Sequence, residues 1–73
     1  MLIQKIVGDN IRGYRKKIQW TQEKLSVRSK ISSPYISRIE KGHENPSVSV
    51  LATLANTLKV ELFQFFIKES YKD

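Results

Sequence analysis

The sequence predicts an all-α domain, a compact set of five short helices, and three features carry that expectation. Apolar residues recur at spacings of three and four, a serine or threonine stands just before several of these runs, and proline or glycine punctuates the intervals. At 73 residues the chain is long enough for one domain with one modest core, and it has no internal repeat, low-complexity tract or dividing linker.

The first helix is expected over about residues 3–17, where Ile3, Val7, Ile11, Tyr14 and Ile18 form one apolar stripe and Lys5, Arg12, Lys16 and Lys17 fall mostly off it. Thr21 is an N-cap for a second helix starting at Gln22, with Trp20 and Leu25 placed as a hydrophobic staple. That helix is short, because Lys30-Ile31-Ser32 supplies a break. A third helix follows, capped by Ser32 or Ser33, with Ile36 and Ile39 inward and Gly42 as its stop. With Ser33 as the cap, Pro34 takes the first helical position, where a missing N–H costs nothing. His43-Glu44-Asn45-Pro46 reads as a turn, and Ser47 caps a fourth helix whose broad apolar face holds Val48, Leu51, Leu54, Ala55 and Leu58. A fifth helix is expected over about 61–70. Its Leu62, Phe63, Phe65, Phe66 and Ile67 span too wide an arc for one buried stripe, so part of that surface is assigned to a partner.

The formal charge of +6 is uneven. Residues 1–46 hold ten Lys and Arg against four Asp and Glu, whereas residues 47–73 hold three of each. A polyanion-facing part and a neutral part with another task fit this distribution, the alternative being an ordinary basic surface. With no cysteine, disulfides and thiolate metal sites are excluded, and self-association becomes the default source of extra burial. No apolar run approaches the ~20 residues of a membrane span, and the N-terminus lacks the pattern of a signal peptide, so a soluble cytoplasmic protein without a membrane partner is expected. An enzyme is disfavoured: there is no glycine-rich phosphate loop and no histidine–carboxylate cluster, and the chain leaves little room for a cleft. No cofactor is expected. His43, the only histidine, is read as an exposed loop residue rather than a metal ligand.

Two short helices joined by about three residues, over residues 21–42, fit the geometry of a DNA-binding helix-turn-helix. The run Trp20-Thr21-Gln22-Glu23-Lys24-Leu25-Ser26, then Ile31-Ser32, Tyr35-Ile36-Ser37-Arg38-Ile39-Glu40-Lys41-Gly42 and Asn45-Pro46-Ser47 resembles the phage repressor and Cro type of helix-turn-helix family. With Ile11, Arg15, Leu51, Leu58 and Val60 the resemblance covers nearly the whole chain. It implies a lambda-repressor-like DNA-binding domain. Within the family the small size and terminal helix look like the controller proteins of restriction–modification systems, which bind operators as dimers and regulate their own gene and the endonuclease gene. Phage and plasmid repressors and antitoxins share the motif and stay as alternatives, the antitoxin reading giving the last helix to a different protein partner. RNA is disfavoured, because Tyr14, Trp20 and Tyr35 read as packing or phosphate-contact residues rather than a stacking platform.

The resemblance makes the helix from about Ser33 the recognition helix and places Ser33, Pro34, Ser37 and Arg38 where relatives touch base edges. Arg38 is the strongest reader on chemical grounds, since its planar fork can donate two hydrogen bonds to guanine O6 and N7; phosphate is its alternative target. Ser33 carries little information and Pro34 offers only apolar contact. Relatives commonly have Gln, Arg or Thr there, so specificity shifts towards Arg38, the nearby loop and DNA shape. Gln22 stands at a helix start, where free N–H groups and the dipole favour phosphate. Tyr35, Ser37, Lys41, His43 and Asn45 are further phosphate candidates by resemblance, and Arg15 with Glu40 resembles a structural ion pair tying the first helix to the end of the third. Gln19, Lys30 and Lys59 stand where relatives commonly have glycine, and left-handed backbone there would cost about 1–2 kcal/mol each. Phe63 and Ile67, with some of Leu62, Phe66 and Val50, are assigned to a two-fold homodimer interface.

Overall fold

The computed structural model describes residues 2–72. Its elements in order are α1 (Leu2–Lys17), α2 (Gln22–Ser29), α3 (Ser33–Glu40), α4 (Val48–Leu58) and two 3-10 helices, Leu62–Phe66 and Ser70–Lys72. The described residues contain no strand, and none of their helices is long and apolar enough to cross a membrane.

The caps follow from local chemistry. Thr21 Oγ1 accepts from the Lys24 N–H at 3.0 Å, and Ser47 Oγ accepts from the Val50 N–H at 3.1 Å, each satisfying a donor that the first helical turn leaves open. At α3 the cap is Ser32, whose Oγ accepts from the Tyr35 N–H at 3.3 Å. Pro34 is therefore the second helical residue, still within the turn whose N–H groups lack intrahelical partners. Gly42, at φ 78°, ends α3 in a Schellman turn: its N–H donates to Ile39 O at 3.0 Å and that of His43 to Arg38 O at 2.9 Å.

Val7, Ile11 and Tyr14 carry the buried stripe of α1, while its outer members Ile3 and Ile18 are 39% and 43% exposed. Leu25, Ile36, Ile39, Leu51, Leu54, Ala55 and Leu58 close the core with Phe65, which is wholly buried. Burying a phenylalanine of this kind contributes about 1.5–3 kcal/mol. Gly8 lets α1 approach the end of α3: a Cβ there would collide with Ile39 O and lie 2.9 Å from Glu40 O.

The fifth helix expected over 61–70 is instead the pair of 3-10 helices, with Ile67 extended between them (φ −100°, ψ 118°). The reason lies in α1. Asn10, completely buried, donates through Nδ2 to the carbonyls of Phe65 at 2.7 Å, Ile67 at 2.8 Å and Gln64 at 3.3 Å, drawing outward the groups that a continuous α-helix would have bonded internally. Ser70 Oγ also donates to Gln64 O at 2.5 Å, and Tyr71 packs edge-on to Tyr14 with ring centres 6.4 Å apart. Phe63 and Ile67 are thus not one α-helical turn apart. They are 60% and 51% exposed for a different reason: the segment is pinned by its backbone and by Phe65 between them.

Candidate nucleic-acid interface

The α2–α3 unit is fixed from behind by one buried network. Arg15 Nε donates to Glu40 Oε2 at 2.8 Å and Nη2 donates to Oε1 at 2.9 Å, a two-pronged pair joining α1 to the end of α3. The side chains of this pair are only 8% and 3% exposed. Arg15 Nη1 donates to Trp20 O at 2.7 Å, which holds the segment entering α2, and Gln22 Nε2 donates to Glu40 Oε1 at 3.0 Å from the first residue of that helix. Three elements therefore meet on one carboxylate. Removing either charge would leave the other buried and unpaired, at a cost of about 3–5 kcal/mol.

In front of this network lies a groove of about 320 Å³ lined by Arg12, Arg15, Lys16, Gln22, Ser37, Glu40 and Lys41. Arg12, Lys16 and Lys41 are exposed, whereas Arg15 and Glu40 neutralise one another at its floor. Of the residues singled out in the sequence, Gln22, Ser37 and Lys41 come together here. The bond from Gln22 to Glu40 uses one amide hydrogen and leaves the second for an outside acceptor. Arg12 and Lys16 were missed, although their spacing of four on a helix already put them side by side on the face away from the apolar stripe.

A second cluster sits on the exposed side of α3. The Arg38 guanidinium carbon lies 5.6 Å from the centre of the Tyr35 ring, and Arg38 Nε donates to Glu44 Oε2 at 2.8 Å. Pro34 is exposed and Ser33 half-buried at the start of the helix, while His43 and Asn45 are exposed in the loop beyond it. Glu44 is the other residue that sequence reading missed. It lies six positions from Arg38, across a left-handed glycine, so no helical or strand period connects the two.

The apolar residues near the chain's end are divided. Phe63, Phe66 and Ile67 are exposed, while Val50 and Leu62 are half-buried and pack against the core. Phe66 lines a cleft of about 190 Å³ with Ile3, Val48 and Leu51, so exposed apolar surface is shared among α1, α4 and the first 3-10 helix. Two cations lie over the Trp20 ring, with Lys24 Nζ 5.7 Å and the Arg28 guanidinium carbon 5.4 Å from its centre. Tyr14 is buried in the core.

The helix-turn-helix family HTH_3 matches residues 11–65. The chain belongs to that family. Among its relatives, the HTH-type transcriptional regulator SlrR of Bacillus subtilis (strain 168) is 42% identical over 66 residues, covering 89% of this chain and 43% of SlrR. The chain thus spans less than half of that relative's length. Control protein C.SmaI of Serratia marcescens is 29% identical over 73 residues, covering all of this chain and 87% of C.SmaI. The crystal structure of the restriction-modification controller protein C.AhdI from Aeromonas hydrophila superposes with a TM-score of 0.86 at 26% identity, covering 90% of this chain and 100% of C.AhdI. The chain is an HTH_3 protein whose relatives are transcriptional regulators rather than enzymes, and it is similar to small controller proteins.

Proposed function

We propose that this chain is a homodimeric transcriptional regulator that binds a nearly palindromic double-stranded DNA operator, with α3 in the major groove. The observation that carries the reading is the convergence of Arg12, Lys16, Gln22, Ser37 and Lys41 on one groove beside the exposed Arg38 of α3. Cations at the end of α1 and α3 would clamp phosphate, which fixes register without reading sequence. Arg38 would donate to a guanine edge, with Ser33, Pro34 and Ser37 making the lesser base contacts. Tyr35, His43 and Asn45 flank this face and would reach the backbone.

A two-fold dimer places two copies of α3 about one helical turn of DNA apart, roughly 34 Å, and so calls for an inverted repeat. Exposed Phe63, Phe66 and Ile67, with the margins of Leu62 and Val50, supply the apolar surface for self-association. The likeness to controller proteins supports a role at restriction–modification genes, the regulator's own among them. The same exposed surface also fits a second reading, an antitoxin-like or repressor module whose C-terminal segment covers a different protein.

Selection of bound duplexes from a random DNA library at near-physiological salt tests the proposal. An enriched inverted repeat is the expected result. Weak, salt-sensitive binding with no enriched sequence would overturn it and favour the protein-binding reading.

A further inference from the structure

We infer that Glu44 is a specificity-determining positioning residue, which sets the Arg38 guanidinium for end-on recognition of a single guanine; this rests on the DNA-binding reading above. Arg38 carries five N–H donors in a rigid plane, and two of its edges can match the acceptor pair O6 and N7 of guanine: the side edge with Nε, or the end with both terminal nitrogens. In the structure Glu44 Oε2 takes the Nε hydrogen at 2.8 Å. The side edge is thereby occupied, and the terminal nitrogens are left as the base-facing fork.

Two further contacts make this a held geometry. The guanidinium lies over the Tyr35 ring, 5.6 Å from its centre, which restrains its plane. Glu44 is itself held by its neighbours: the His43 N–H donates to Arg38 O at 2.9 Å, Gly42 turns the chain at φ 78°, and Glu44 lines the cleft with Ile39 and Pro46. The carboxylate is 31% exposed against 52% for Arg38, so the guanidinium is the more presented of the two. An acidic group on a face meant for DNA also repels phosphate. It lowers binding to every sequence alike, so the ratio of specific to non-specific affinity is left to be set by the Arg38 fork.

The test compares the selected motif of the wild-type chain with those of Glu44→Ala, Glu44→Gln, Arg38→Ala and the double variant Arg38→Ala with Glu44→Ala. Glu44→Ala should lower the preference at one position of each half-site by about tenfold and leave the other positions unchanged, the size expected for loosening one two-pronged arginine–guanine contact. Glu44→Gln, which keeps an acceptor for Nε, should retain most of that preference, while both variants bind random duplex more tightly than wild type. In the Arg38→Ala background, Glu44→Ala should alter no base preference further. A motif unchanged by Glu44→Ala, or preferences weakened equally at all positions, would overturn the inference while leaving the DNA-binding reading in place. A wild-type chain that selects no motif would remove that reading, and this inference with it.

Discussion

Arg15 and Arg12, three residues apart on α1, show how burial divides the work of like residues. Arg15 spends its guanidinium on Glu40 and on Trp20 O, so it holds the α2–α3 unit in shape. Arg12 and Lys16 stand exposed at the rim of the same groove, where, on the DNA-binding reading, a cation would meet phosphate without reading a base. Arg12→Ala and Lys16→Ala are each expected to reduce the slope of log K against log[salt] by about one and to leave the selected motif unchanged. Titrations of one operator across a salt series check this, and a changed motif would assign these residues to bases instead. Arg15 and Glu40 were legible in the sequence because the motif resemblance named both. Glu44 was not, because its partner is reached through a glycine turn that no sequence period describes.

The helix ends carry a different kind of information. Gln19, Lys30 and Lys59 sit at φ 62°, 63° and 60°, the left-handed conformation that their places after α1, α2 and α4 imply. After α1 and α4 the turn is again of Schellman type, with the Trp20 N–H donating to Arg15 O at 3.1 Å and the Val60 N–H to Ala55 O at 3.0 Å. Replacing any of the three by glycine relieves the Cβ strain but adds freedom to the unfolded chain, for a net gain of roughly 0.5–1 kcal/mol. Gln19→Gly should gain most, because Lys30 and Lys59 place a positive charge at a helix C-terminus and lose that interaction. Thermal melts at fixed protein concentration should show increases of about 4 °C; a fall in Tm for Gln19→Gly would count against this account. These caps and turns were legible because they depend on residues close in sequence. The terminal 3-10 helices were not, because their form is dictated by Asn10, more than fifty positions away.

At the scale of the whole molecule, one small body of 27 × 24 × 18 Å carries a basic groove between α1 and α3 and exposed apolar side chains on α1, α2, α4 and the first 3-10 helix. The surplus of aromatic residues near the end of the chain was visible in the sequence, whereas the charge division between residues 1–46 and 47–73 gave no sign that Leu2 and Val27 would be exposed in the basic part. Phe63→Glu and Ile67→Glu alter side chains that are 60% and 51% exposed, so the fold should persist while self-association weakens. Analytical ultracentrifugation is expected to show a dimeric wild type and largely monomeric variants; an unchanged mass would exclude these residues from the interface. Asn10 has a consequence of its own for how the chain assembles. Its Nδ2 bond to Phe65 O joins positions 55 residues apart, so the last segment cannot reach its final form until α1 is in place to receive it. Local helix formation is fast, whereas closing so long a loop must precede the contacts that reward it. Refolding should therefore be slower than for a helical chain of this length with only neighbour-to-neighbour contacts. Asn10→Ala should reduce the stability of the closed form, and stopped-flow refolding of the two chains would measure how much of the barrier that closure sets.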